Sequence, residues 1–365
     1  MVYVFVSYNP SLDFDSPESW YKRTAGYSGV LFSLAKNNTA INIKQINFEG
    51  DRLHKGVNYH FVRYNPKEKY FPRRINRIVK NLNPDVVFIQ GLHTPLQLIQ
   101  LGIQLGKKTR IIAQHHAEKP SIGIKKYLQK LADKYVDAYL FASREMGMEW
   151  VEKGNMASAD KLHEVMEVSS IFSPMDKAEA KTKTGVTGDL IFLWVGRLDA
   201  NKDPLTVVRA FLKFNQKNPS ARLYMIYHTD ELLAEIQTIL DDSANKDAIT
   251  LIGKVPHEEL QYWYNSSDII LSGSHYEGSG TAVCEAMSCR CMPVVTDILS
   301  FRMITDNGRC GLLYEAGDET SLLLALKLTC EIDLKKKQEL SLQYFRETLS
   351  FEAIAGKIQA IAESL

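Results

Sequence analysis

The chain has 365 residues, 45% hydrophobic and 24% charged, with a net charge of +1, the composition of a globular protein long enough for two or three domains. No uninterrupted run of about 18 apolar residues predicts a membrane-spanning helix. The opening MVYVFVSYNP lacks the basic region of a signal peptide, so a cytoplasmic protein is expected. The five cysteines all lie in the C-terminal half. An odd count argues against a disulfide framework. Cys289 and Cys291 lack partners at zinc-ligand spacing and are read as small packing residues.

Taken in chain order, strands and helices alternate. Val2–Tyr8 reads as a strand, followed by a turn holding Gly26 and Gly29 and an apolar helix from Val30. Ile41–Phe48 alternates apolar and polar residues, Asp85–Ile89 is a buried-strand signal, and a Leu/Ile helix runs from about Pro95 to Leu105. Arg110–Ala113 is a strand, Lys125–Val136 is amphipathic, and Ala138–Ala142 is again a strand. Ser169–Asp189 has little apolar periodicity and is expected to be a linker. A second series follows: strands at Leu190–Val195, Arg222–Tyr227, Ile249–Ile252, Ile269–Ser272 and Met292–Thr296, with helical sequence between them. One helix, Pro204–Phe214, opens on a proline. This rhythm predicts an α/β protein of two doubly wound, Rossmann-like halves that face each other across a cleft. Phe351–Leu365 is expected to be a terminal helix.

Charge divides unevenly. Residues 1–175 hold 24 basic and 16 acidic residues and the remainder 20 and 27, a balance of +8 against −7. Much of the excess lies in one segment, Arg52, Lys55, Arg63, Lys67, Lys69, Arg73, Arg74, Arg77 and Lys80. Such a segment is either an ordinary solvated surface or a patch facing lipid head groups or an acidic acceptor. No nucleic-acid motif accompanies it, so no nucleic acid is expected as a partner.

Two stretches carry chemistry. In HYEGSGTAVCEAM, residues 275–287, a small-residue loop follows a strand and leads into a helix near Thr281. The free N–H groups and positive dipole end of that helix suit a phosphate. Gly278 and Gly280 let backbone approach a ligand, with Ser279 and Thr281 beside them. Glu277 on the loop and Glu285 inside the helix are acceptors suited to sugar and ribose hydroxyls; solvated glutamates on a capping loop would look the same. The second stretch, WVGRLDANKDP over residues 194–204, also joins a strand to a helix. Gly196 permits close approach, and Arg197 and Lys202 are cations able to neutralise adjacent phosphates.

Together, GRLDANKDP, EGSGTAVCEAM, the Glu277-x7-Glu285 spacing and the segment Leu251–Pro256 followed by Leu260, Tyr264 and Asp268 resemble the retaining glycosyltransferases of family 4, the glycosyl transferases group 1. The resemblance covers about Leu190–Ala325 and implies the GT-B fold. It implies an acceptor-binding domain over 1–175, a donor-binding domain over 185–345, and a segment 346–365 that packs back on the first. It implies that Arg197 and Lys202 hold the donor diphosphate, that Glu285 binds ribose, and that Glu277 with Gly278–Thr281 holds the sugar and distal phosphate. Val255 would meet the base through its backbone. His116, rather than its neighbour His115, would meet the donor sugar, and Gly26 and Gly29 would form the glycine-rich N-terminal loop. The reaction implied moves a sugar from a nucleoside-diphosphate sugar, UDP or GDP, to a glycan or lipid-linked acceptor with retention of configuration. It needs neither metal nor cofactor, and it belongs to cell-surface polysaccharide or glycolipid synthesis. The basic N-terminal half adds the expectation of peripheral contact at the inner face of an anionic membrane.

The sequence departs from the pattern in three places. Arg290 stands where the family commonly has glycine. Tyr227-His228-Thr229 replaces a Gly-x-Gly. Ser279 and Thr281 make the donor loop more polar. These departures keep a second reading open, an inactive nucleotide-binding scaffold. A nicotinamide-dependent dehydrogenase is disfavoured because no G-x-G-x-x-G follows the first strand.

Overall fold

The computed structural model describes residues 1–116 and 118–365. The chain divides into two compact units, one of Met1–Ser169 with Phe351–Leu365 and one of Ser170–Ser350.

The first unit is built on an eight-stranded sheet. Its strands are β1 (Val2–Val6), β2 (Thr39–Ile46), β3 (Gly50–His54), β4 (Val57–Arg63), β5 (Val86–Gln90), β6 (Arg110–Gln114), β7 (Ala138–Phe141) and β8 (Leu162–Glu164). They lie in the order β3-β4-β2-β1-β5-β6-β7-β8. All neighbours are parallel except the β3–β4 hairpin. β1 and β5 are adjacent, so the winding reverses between them. β2 is buried along nearly its whole length, on both faces.

The hairpin was not evident in the sequence, because its strands carry Asp51, Arg52 and Arg63 in place of an apolar run. β3 is an edge strand with mostly exposed residues, where charge guards against edge-to-edge pairing. Its turn, Lys55-Gly56, has positive φ at both positions, 48° and 81°, as a two-residue hairpin turn requires.

The second unit holds a six-stranded parallel sheet, β9 (Leu190–Gly196), β10 (Ala221–Tyr227), β11 (Ile249–Gly253), β12 (Ile269–Ser272), β13 (Met292–Thr296) and β14 (Leu312–Tyr314). Their order is β11-β10-β9-β12-β13-β14. β9 shows why both faces must be covered. Phe192 and Trp194 enter one core cluster, while Ile191 and Leu193 enter another. Cys284, Cys289, Cys291 and Cys310 are buried thiols packed as small apolar side chains.

Two expectations are corrected. Part of the presumed linker is helical: Lys177–Thr184 is capped by Asp176, whose side chain accepts from the Glu179 N–H, and ends at Gly185 in the left-handed region. This helix belongs to the second unit and packs on helix Leu260–Ser266. Gly29 is a packing glycine. It opens helix Gly29–Ala35, and a Cβ there would stand 2.1 Å from the ring of Phe351. Its lack of a side chain is what lets terminal helix Phe351–Ser364 lie against it. Gly26 lies in the turn just before this helix. Among the described residues, no helix is long and apolar enough to cross a membrane.

Candidate functional site

In the second sheet the winding reverses between β9 and β12, which are neighbours. In open α/β sheets ligands bind where this happens, outside the carboxyl ends of the strands. The loops leaving those two ends are Gly196–Asp203 and Gly273–Gly280, the two stretches singled out above.

The loops are joined by several bonds. The His275 N–H donates to the Asn201 carbonyl at 2.8 Å, and the Asn201 amide donates to the Tyr276 carbonyl at 3.0 Å. The His275 ring lies 3.3 Å from the Asp203 carboxylate. The Lys202 ammonium contacts the Glu277 carboxylate directly, and Ser274 Oγ donates to the same Glu277 oxygen at 2.7 Å. Lys202 and Glu277, 75 residues apart in sequence, thus form one part-buried pair. Gly273 makes this possible, since a Cβ there would sit 2.9 Å from the Asp203 carbonyl and 3.0 Å from that of Lys202.

The first loop is also held from its other side. The Leu198 N–H donates to Thr229 Oγ1 at 2.8 Å, and Leu232 N–H donates to the Leu198 carbonyl at 3.0 Å. Leu198 itself is fully buried. Thr229, one of the residues replacing the expected Gly-x-Gly, is therefore an anchor for the loop that carries Arg197 and Lys202. Arg197 is half exposed and turns to Asp199 of its own loop, Nε to Oδ2 3.0 Å. Gly196 has its own local reason to be small, because a Cβ would meet the Trp194 ring at 3.0 Å.

Helix Thr281–Ser288 follows the second loop. Its N-cap, Gly280, is left-handed at φ 57°, and no side chain caps the helix. A Cβ at Gly280 would meet Phe301 at 2.7 Å and Ile304 at 2.9 Å. The first-turn N–H groups are left without a side-chain acceptor, which suits an anion.

Glu285 lies on this helix and is only 6% exposed. Tyr264 donates its hydroxyl to Oε2 at 2.9 Å, and His257 Nε2 meets Oε1 at 2.7 Å. Burial and the nearby Glu285 carboxylate push the Tyr264 phenol well above its usual range, so it stays protonated and remains a donor. Val255 is half-buried against the core cluster that also holds Tyr264. It sits on the Gly253–His257 loop beyond β11, where Gly253 has φ 79°. Tyr264 and His257 fix the carboxylate, a role the sequence did not disclose: Tyr264 stood in the motif, but nothing in its spacing indicated which side chain it served.

In the first unit, His116 lies two residues beyond the end of β6, and its Nδ1 contacts the Glu167 carboxylate. Its buried Nε2 has no hydrogen-bond partner among the described residues. Burial would lower the His116 pKa, but the hydrogen bond and charge of Glu167 outweigh it and raise the value. His115 is buried, stacks on Phe141 and bonds the Glu118 carbonyl at 2.8 Å, a packed and satisfied histidine. Glu118 had no assigned part. Its carboxylate accepts from the N–H of His116 at 2.6 Å and of Leu92 at 2.8 Å, and meets His93 Nδ1 at 3.0 Å. Burial alone would raise its pKa; His93 and the two amides hold it down, at about 2. Among the described residues, no three His, Cys, Asp or Glu side chains are grouped to hold a metal ion.

Several known proteins resemble the chain. A glycosyltransferase from Rickettsia africae ESF-5 superposes with TM-score 0.76 at 16% identity, over 100% of this chain and 98% of that one. Anabaena Alr3699/HepE, solved in complex with UDP, gives 0.74 at 13% identity over 100% of both chains. These likenesses establish the GT-B fold. By sequence, the N-acetylgalactosamine-N,N'-diacetylbacillosaminyl-diphospho-undecaprenol 4-alpha-N-acetylgalactosaminyltransferase of Campylobacter jejuni is 23% identical over 278 residues, 74% of each chain. The D-inositol 3-phosphate glycosyltransferase of Streptosporangium roseum is 25% identical over 158 residues, 41% of this chain; the match spans 36% of that relative's length. The profile of one family, described as Glycosyl transferases group 1, matches residues 176–342, nearly the whole second unit.

Proposed function

We propose that the chain is a glycosyltransferase that moves a sugar from a nucleoside-diphosphate sugar to a glycan or lipid-linked acceptor, with retention and without a metal. The observation that carries this is the junction at the β9–β12 reversal. There a lysine, a glutamate and an uncapped helix N-terminus are brought together by two interlocked loops. In this reading Lys202, Arg197 and the N–H groups of Gly278–Thr281 take the diphosphate. As the bond to the sugar breaks, they stabilise the charge that collects on the leaving phosphate. Glu277 accepts from sugar hydroxyls, Glu285 from the ribose, and Val255 meets the base. His116 serves the donor sugar from the first unit. The leaving phosphate takes the acceptor's proton on the face it vacates, so configuration is retained. The Campylobacter relative, named for an undecaprenol diphosphate acceptor, supports the lipid-linked branch and a place at the inner membrane face in polysaccharide or glycolipid synthesis.

The test is thermal stabilisation by UDP, GDP, ADP and CMP, with and without chelator, in wild type and Glu285→Gln. A ligand at 100 times its Kd stabilises by about 2.7 kcal/mol. A shift with one diphosphate that survives chelator and shrinks in the variant is expected. No shift with any of them would favour the inactive scaffold, and a shift abolished by chelator would overturn metal independence.

A further inference from the structure

Helix Gly123–Ala132 of the first unit presents an unusual outer face. Ile122, just ahead of it, is 85% exposed; Ile124 is 82%, Tyr127 74% and Leu131 41% exposed. At about 100° per residue, Ile124, Tyr127 and Leu131 form one stripe. Gln129 and Ala132, buried, mark the side packed on the protein. Isolated exposed leucines are ordinary, but a run of branched and aromatic side chains on one face is not. The charges around it have one sign. From Lys119 to Ala132 there are four lysines, Lys119, Lys125, Lys126 and Lys130, and no Asp or Glu.

The face borders a pocket of about 550 Å³ at the carboxyl ends of β1 and β5. Lys125 and Leu128 of the helix line it, as do Lys69 and Tyr70, with Asn9 and His93 among its polar lining groups. The pattern repeats at a second lining segment: Tyr70 and Phe71 are 58% and 55% exposed beside Lys69. A pocket with polar lining groups and exposed apolar, lysine-bearing segments beside it fits a layered environment, hydrocarbon beside anionic head groups. By contrast, the arginine-rich helix Arg73–Asn81 offers charge without an exposed apolar stripe, its buried residues being Ile75, Asn76 and Val79. Arg74 is also paired with Glu49.

We propose that the outer face of Gly123–Ala132, with Ile122 ahead of it, docks the protein onto an anionic lipid bilayer. The apolar stripe enters the head-group layer, the lysines pair with lipid phosphates, and the pocket opens at the membrane surface. The inference gives the lipid-linked branch of the proposed function a place on the molecule, but it rests on the donor chemistry in no step.

The experiment is flotation of the full chain with vesicles of equal parts phosphatidylcholine and phosphatidylglycerol, against phosphatidylcholine alone. Wild type should float with the anionic vesicles only. Ile124→Glu and Tyr127→Glu, on exposed side chains that leave folding intact, should each weaken partitioning about tenfold or more. Removing Lys126 or Lys130 should weaken it about fivefold each. Arg73→Ser with Arg77→Ser should change it little. The docking face is overturned by flotation with neither vesicle, by unchanged flotation of Ile124→Glu and Tyr127→Glu, or by loss on the arginine changes instead. Nucleotide-induced stabilisation, measured on the same samples, separates the two readings: a shift without flotation sinks the docking face alone, and flotation without a shift sinks the donor assignment alone.

Discussion

Lys202 and Glu277 form a direct, part-buried ion pair across the two loops that meet at the β9–β12 reversal. The group assigned to the diphosphate and the group assigned to the sugar therefore neutralise each other before a donor arrives. A diphosphate must share the lysine with a carboxylate, which costs part of the attraction it gains.

That cost has a testable sign. Lys202→Ala should weaken nucleoside-diphosphate binding by about 10- to 100-fold, the worth of a charge-assisted hydrogen bond of roughly 1.5–3 kcal/mol. Glu277→Gln should leave that binding unchanged or tighter, because a negative neighbour has gone, while kcat/KM for transfer falls. Calorimetric titration with the bare diphosphate checks both. If Glu277→Gln weakens the diphosphate as much as Lys202→Ala does, the division of labour between them is wrong.

Glu285 is the second carboxylate, and its orientation is set by Tyr264 and His257. Tyr264→Phe leaves one buried carboxylate oxygen without its donor and should cost about 1–3 kcal/mol of stability. The ribose role has its own readout. Wild type should prefer the nucleoside diphosphate to its 2′,3′-dideoxy analogue, and Glu285→Gln should narrow that gap. An equal preference in both proteins would remove Glu285 from the ribose.

Arg290 has φ 68°, in the left-handed region where the family's glycine would be at ease. A side chain there costs roughly 1 kcal/mol, and the bond of its Nε to Glu339 at 3.0 Å is a surface pair between half-exposed groups that returns little. Arg290→Gly should raise stability by at most about 0.5 kcal/mol after the added freedom of the unfolded chain is counted. That amounts to about 1 °C in Tm. A lower Tm would mean that the Arg290–Glu339 contact matters more than the backbone.

What could be read from the sequence follows a physical division. β9, β10, β12 and β13 of the second sheet were legible because strands buried on both faces need continuous apolar runs such as Ile191–Trp194. The loops at their ends were legible because close approach needs glycines at fixed offsets. The β3–β4 hairpin was not, since an edge strand is selected for charge, nor was three-residue β14, too short to show a pattern. Helix Lys177–Thr184 lacked an apolar stripe, yet its Asp176…Glu179 cap and Gly185 stop were present in the sequence as signals. Gly29 misled because a glycine that admits a neighbour's ring looks, in sequence, like one that admits a ligand. Glu118 was invisible for another reason: its partners, the Leu92 and His116 amides, come from two strand ends that only the folded sheet brings together.

Glu118 also governs how the first unit should respond to acid. Its carboxyl is held at about 2 against the usual 4.5. A depressed folded value means that the stabilisation is complete above about 4.5 and is lost as pH falls toward 2. At 1.36 kcal/mol per unit, the loss is on the order of 3 kcal/mol. His116 works in the opposite sense. Its folded value is raised above 6.5, so its contribution is complete below 6.5 and fades as pH climbs through the higher folded value. Denaturant titrations across pH would show both limbs. Glu118→Gln should start less stable near neutrality and flatten the acid limb between about pH 4.5 and 2, and it should shrink the His116 limb, because the Glu118 charge helps to raise that histidine. An acid limb as steep in Glu118→Gln as in wild type would place the responsible carboxylate elsewhere.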